Sequence, residues 1–141
     1  MLESMFEWLF GSSWNLVVIQ QEVIENLREF AKANHPREFS AFLGGEIQNK
    51  KLIVTRLLYQ EFHSDQNSAI IKQNLPLLSG MIGTVHSHSS PNNSPSLTDL
   101  RGFSKHGQVH GILAYPYDEK SFALYDSRGK KVNFIVDSGK Q

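Results

Sequence analysis

A chain of 141 residues, 40% hydrophobic and 20% charged, is long enough for one domain with a real core, without disulfides or a structural metal. Lys plus Arg and Asp plus Glu number 14 each, so the formal net charge is zero, which argues against a nucleic-acid partner, because phosphate binding needs a positive surplus. The absence of cysteine removes disulfides, thiolate nucleophiles and cysteine-ligated zinc, leaving hydroxyls, carboxylates, histidines or a metal for any hydrolytic chemistry.

Residues 1–10 place Leu2, Met5, Phe6 and Leu9 on one helical face, and Gly11-Ser12-Ser13 breaks that pattern, so 1–13 read as an N-terminal extension with a short helix. Glu3, Glu7 and the lack of an early Lys or Arg make this segment unlike a signal peptide or a membrane-surface helix. No stretch approaches the roughly 20 apolar residues of a spanning helix, so the expectation is a cytoplasmic protein with no membrane partner. Leu16 to Ile19 is a short strand. Residues 20–34 follow helical spacing through Val23, Ile24, Leu27, Phe30 and Ala31, with Asn34 and Pro36 as the stop. Glu38 to Leu43 alternates as a strand, Gly44-Gly45 leads to a turn, and Leu52 to Tyr59 predicts a second strand. Residues 60–69 are polar and loop-like, and Ile70 to Leu78 suits a short helix disturbed by Pro76. Met81 to His86 is a strand. Ser89 to Pro95 holds two prolines, two asparagines and three serines, hence a loop. Ser96 opens a helix to about Lys105. Val109 to Tyr115 is a buried strand, and Phe122 to Tyr125 and Val132 to Val136 are two more. Interleaved strands and helices without a linker predict a single α/β layered domain.

The segment with chemical content is Thr84-Val85-His86-Ser87-His88, followed by the loop and Ser96-Leu97-Thr98-Asp99. Alternation along a strand turns His86 and His88 to the same side, where two imidazoles can share a metal. Asp99, in the first turn of the next helix, supplies a third ligand and leaves the fourth position to water, the arrangement of a catalytic zinc site. Ser96-x-x-Asp99 also reads as an ordinary helix cap, and the two roles are compatible, since the helix start orients the carboxylate. A chance His-x-His is expected about 0.25 times in such a chain, so the pair alone says little; adding Ser and Asp at fixed offsets lowers chance to roughly one in a thousand.

This pattern resembles the JAMM motif of MPN-domain metalloproteases, and among them the small stand-alone archaeal members. His35-Pro36-Arg37-Glu38-Phe39-Ser40-Ala41-Phe42-Leu43-Gly44-Gly45 looks like the family's glutamate-bearing early strand, with Glu38 as the match. Gly83-Thr84-Val85 and Tyr115-Pro116-Tyr117-Asp118 extend the likeness over nearly the whole chain. Ser89 stands where many relatives have Pro, and Gln60 to Ile70 lacks the long insertions of some eukaryotic relatives. The resemblance implies one MPN domain over 1–141, of cytidine-deaminase-like α/β architecture with a mixed β-sheet flanked by helices. It implies a Zn2+ held by His86, His88 and Asp99, with Glu38 as general base then acid and Ser96 as a hydroxyl donor to the oxyanion. The implied reaction is hydrolysis of the amide between a ubiquitin-like modifier and a lysine, so the implied partners are that modifier and its conjugates. Self-association is left open. Two alternatives stand beside it: removal of amino-acid adducts from the C-terminus of a sulfur-carrier protein, and a non-catalytic MPN scaffold.

The remaining signals are weaker. His106-x-x-x-His110 has metal-like spacing, but Gly107 interrupts a helix there. His35 and His63 read as surface residues, Tyr115 and Tyr117 as core or rim aromatics. Glu46 and Glu61 are fallback bases. The serines lack a Gly-x-Ser-x-Gly elbow, and a zinc deaminase would need a Pro-Cys-x-x-Cys element that this chain does not have.

Overall fold

The computed structural model describes residues 13–58 and 80–139. The expectations for 1–10, 60–69 and Ile70–Leu78, together with Glu61 and His63, lie outside the described residues.

Strand β1 (Leu16–Gln20) buries alternate residues Val17 and Ile19 and passes directly into α1 (Gln21–Asn34). Val23, Ile24, Leu27 and Ala31 form the buried stripe of α1, with Glu22 at its positive end and Lys32 at its negative end. Phe30, expected on that stripe, lies at its border; it is 38% exposed and stacks on Phe39 with ring centroids 5.3 Å apart. The helix ends where the His35 N–H reaches the Ala31 carbonyl.

Strands β2 (Ser40–Gln48) and β3 (Lys51–Leu58) form an antiparallel hairpin. The turn that Gly44-Gly45 was expected to lead to comes at the end of β2, beyond the glycines themselves. Both glycines lie inside β2 at a β-bulge, and the chain reverses at Asn49-Lys50, with φ of 51° and 64°. A Cβ on Gly45 would run into the Ile53 carbonyl oxygen, so this glycine permits close strand contact rather than reversal. Positive φ at both turn residues matches the twist of a tight hairpin.

Strand β4 (Met81–His88) pairs antiparallel with β2 and parallel with β5 (Val109–Ala114). Helix α2 (Leu97–Phe103) lies between β4 and β5 in sequence and stops short of the expected Lys105. Strands β6 (Phe122–Asp126) and β7 (Lys131–Val132) add by antiparallel pairing, and β8 (Phe134–Asp137) runs parallel to β1. The result is a mixed sheet of order β7-β6-β5-β4-β2-β3-β1-β8.

The single strand predicted over Val132 to Val136 is therefore two, broken at Asn133 and paired at opposite ends of that order. Eight strands laid flat would put the outer two about 34 Å apart at a spacing of about 4.8 Å. Two peptide steps span only about 7 Å. The sheet must roll until its edges nearly meet, and Phe122 of β6 touches Phe134 of β8 across the seam, ring centroids 5.5 Å apart. Strand β5 is buried at every position because both its faces are covered. Val109 and Leu113 join the larger core with the α1 stripe; Ile112 joins a smaller one with Phe103 of α2, Ala123 and Tyr125. No helix among the described residues is long and apolar enough to cross a membrane.

Candidate metal centre

Alternation along β4 sends Val85 and Ser87 into one layer and His86 and His88 toward α2. The two imidazole Nε2 atoms stand 3.0 Å apart. The Asp99 carboxylate faces both, with Oδ1 3.2 Å from His86 Nε2 and Oδ2 3.3 Å from His88 Nε2. Four ligands at 2.0–2.1 Å around a tetrahedral zinc lie about 3.4 Å from one another, so these spacings fit an ion held between the three side chains. Among the described residues, His86, His88 and Asp99 are the group of this kind.

Their surroundings fix the donors. The Asn92 carbonyl lies 2.8 Å from His88 Nδ1; a carbonyl only accepts, so Nδ1 carries the proton and the Nε2 lone pair would be available to a metal ion. Burial lowers the pKa of His86 against the opposing pull of Asp99, with His88 adding to the lowering, so the imidazole stays neutral and able to ligate below the usual histidine range. Ser96 is the N-cap of α2, and its box with Asp99 is complete: Asp99 N–H donates to Ser96 Oγ at 3.1 Å and Ser96 N–H to Asp99 Oδ2 at 2.9 Å. Burial pushes the Asp99 carboxyl up, but the Ser96 hydrogen bonds and the two imidazoles outweigh it and hold the group below the ordinary carboxylate range. The loop between the ligands is pinned as well. Tyr125 Oη donates to the Asn93 carbonyl at 2.8 Å, and Asn93 Nδ2 donates to the Ser121 carbonyl at 3.1 Å.

Glu38 stands two residues before β2. Ser40 pairs with His86 and Phe39 exchanges hydrogen bonds with Ser87, so Glu38 follows at the end of β4 that carries His88. Its charge raises the basicity of His86, yet it lies outside the ligand group, exposed to solvent. Glu46 is exposed farther along β2 and accepts from Gln48 Nε2. His110 is fully buried, its ring stacked on Phe103 at 4.4 Å and its Nδ1 2.7 Å from Thr84 Oγ1, while His106 is exposed with its ring 6.4 Å from Phe42. Gly107, with φ of +103°, separates α2 from β5. Tyr117 is buried and Tyr115 45% exposed, one in the core and one at the rim.

Sequence reasoning missed Ser87, whose buried hydroxyl accepts from the Phe39 N–H at 2.8 Å and ties the end of the Glu38 segment to β4. The signal was present: a serine between two same-facing histidines must point inward, where it needs a partner. His35, read as a surface residue, is exposed in area, but its ring is held by Tyr117 and Tyr115.

The family of prokaryotic homologs of the JAB domain matches residues 20–125. A protein described as a JAMM metalloprotease-like zinc site in the proteasome and signalosome is 31% identical, with a TM-score of 0.68 over 88% of this chain and 100% of that one. A JAB1/MPN domain protein from Archaeoglobus fulgidus is 33% identical, with a TM-score of 0.65 over 90% of this chain and 100% of that one. A solution structure from Desulfitobacterium hafniense, 18% identical with a TM-score of 0.59 over 87% and 94%, shares the fold. No curated protein matches the chain. With the family match spanning most of the chain, and with both its fold and its group of two histidines and an aspartate in place, this protein belongs to the JAB/MPN domain family.

Proposed function

We propose that this chain is a zinc-dependent isopeptidase of the cytoplasm, hydrolysing the amide between the C-terminus of a ubiquitin-like modifier and a lysine side chain. The observation that carries the reading is the convergence of His86, His88 and Asp99 on one point, with the Glu38 charge within electrostatic reach of His86. The similar structure described as a metalloprotease-like zinc site supports the choice of metal. Bound zinc would polarise the amide carbonyl and lower the pKa of water toward about 7. Glu38 takes a proton from the attacking water and returns it to the leaving amine. Ser96, whose Oγ already accepts from Asp99 N–H, keeps a hydroxyl proton that it can donate to the developing oxyanion.

The test uses zinc-loaded protein, modifier–lysine conjugates and modifier–cysteine adducts. Cleavage of the lysine conjugates, abolished by a chelator and restored by zinc, is the expected result. Faster cleavage of the cysteine adducts moves the reading to a hydrolase acting on a sulfur carrier. A zinc-replete protein that cleaves neither overturns the catalytic reading.

A further inference from the structure

Outside the ligand group, titratable and aromatic side chains also gather around His35. His35, the residue that caps α1, sets its Nδ1 2.7 Å from the Tyr117 hydroxyl. Its ring stacks on Tyr115 at 5.0 Å, interplanar angle 26°, and meets the edge of Tyr117 at 5.6 Å. The tyrosines are themselves fixed. The Tyr115 N–H reaches the carbonyls of His88 at 3.0 Å and Ser90 at 3.1 Å. Arg28 Nε donates to the Tyr117 carbonyl at 2.7 Å, and the Tyr117 ring is 2% exposed. Burial raises the Tyr117 pKa, with Tyr115 and then Glu38 pushing the same way, so the phenol keeps its proton and the Glu38 charge lies within electrostatic reach of it.

Glu38 follows His35 by three residues. The segment is thus held at both ends: by His35 on the tyrosines, and by Phe39 on the Ser87 hydroxyl. Between these two anchors the Arg37 N–H bonds back to the Asn34 carbonyl at 2.8 Å at the end of α1, and the side chains of Arg37 and Glu38 are exposed. We propose that His35 and Tyr117 are positioning residues, a clasp that fixes the Glu38 carboxylate relative to the strand end carrying His88. The proposal rests on the hydrolase reading for its consequence in turnover, but not for its consequence in structure. Glu38 has to stand within hydrogen-bond reach of the water it deprotonates, and a base displaced by about 1 Å can lose up to about a hundredfold in rate.

Tyr117→Phe keeps the ring and removes the hydroxyl; His35→Phe keeps a ring against Tyr115 and removes the nitrogen. Each variant should lower kcat by about tenfold or more, with KM within about twofold and zinc content unchanged. Because both delete one interaction, the double variant should be no worse than the weaker single variant. Amide exchange across residues 37–39 should quicken in both variants, while exchange in β4 and β5 stays as in the wild type. Wild-type kcat in Tyr117→Phe, additive losses in the double variant, or unchanged exchange at 37–39 would each overturn the clasp. If wild type and Glu38→Gln are both inactive with zinc bound, the hydrolase reading has failed, and the exchange comparison alone decides whether the clasp exists.

Discussion

At the scale of single residues, the chemistry separates metal holding from proton movement. Glu38 lies outside the ligand group, so Glu38→Gln, nearly the same size, should keep zinc and melting temperature while turnover falls by about 10²–10⁴-fold. Wild-type turnover in that variant would remove Glu38 from the mechanism even with the metal in place. His110 gives a different residue-level effect. Burial depresses its pKa to about 4 from 6.5, against the nearby carbonyls of Gly107 and Phe103. Above pH 6.5 the imidazole is neutral in both folded and unfolded chains. Between pH 6.5 and about 4 the unfolded chain binds a proton that the folded one refuses, so stability falls as the pH drops through that window. Metal-free protein should lose about 2 kcal/mol from this source between pH 7 and pH 5, measured by urea unfolding. His110→Gln, whatever it costs at neutral pH, should show a shallower slope; equal slopes would remove the assignment. The ligand candidates were legible because alternation and helix capping act over a few residues. The inward turn of Ser87 was legible too, but not its partner; the partners of His35, Ser87 and His110 are Tyr117, Phe39 and Thr84, between 26 and 82 positions away in the chain.

Among the elements, α2 is the sharpest case of one structure serving two purposes. It has seven residues, too few to hold itself together by propensity, and its capping box is what starts it. The same box aims the Asp99 carboxylate at the imidazoles. Ser96→Ala should cost about 1 kcal/mol of stability and weaken zinc binding as well as turnover, because the ligand loses its brace. Denaturation of the chelated protein isolates the first effect and zinc titration the second; intact zinc affinity would confine Ser96 to capping and donation. The elements that local pattern specifies were readable from sequence: β1, α1, β4 and the buried β5 carry their periodicity on their face. Two features were not. Gly44-Gly45 looks like the approach to a turn in isolation, and the bulge there shows only in the pairing with β3 and β4. Val132 to Val136 looks like one strand, and only the two separate partners, β6 and β1, reveal the break at Asn133.

For the molecule as a whole, the ligands join two elements on either side of a loop, so occupancy should be felt globally. Purified protein should carry near one zinc per chain by elemental analysis. At a hundredfold excess over its dissociation constant the metal should add about 2.7 kcal/mol, seen as a rise in Tm over the chelated form. Asp99→Ala should lose most of both effects, and full zinc occupancy with His86 and His88 both replaced by Ala would refute the ligand assignment. The seam at Asn133 carries a further consequence, for synthesis rather than stability. Strand β8 supplies the outer neighbour of β1, the first described strand to leave the ribosome, and it is the last described strand to do so. Until residues 134–137 emerge, β1 has hydrogen bonds on its β3 side only, and the roll cannot close. The nascent chain therefore waits with an open sheet edge and the inner face of β6 uncovered at Phe122. A chain truncated after Asn133 should be cut by proteases and bound by chaperones, whereas one that keeps residues 134–137 should escape both.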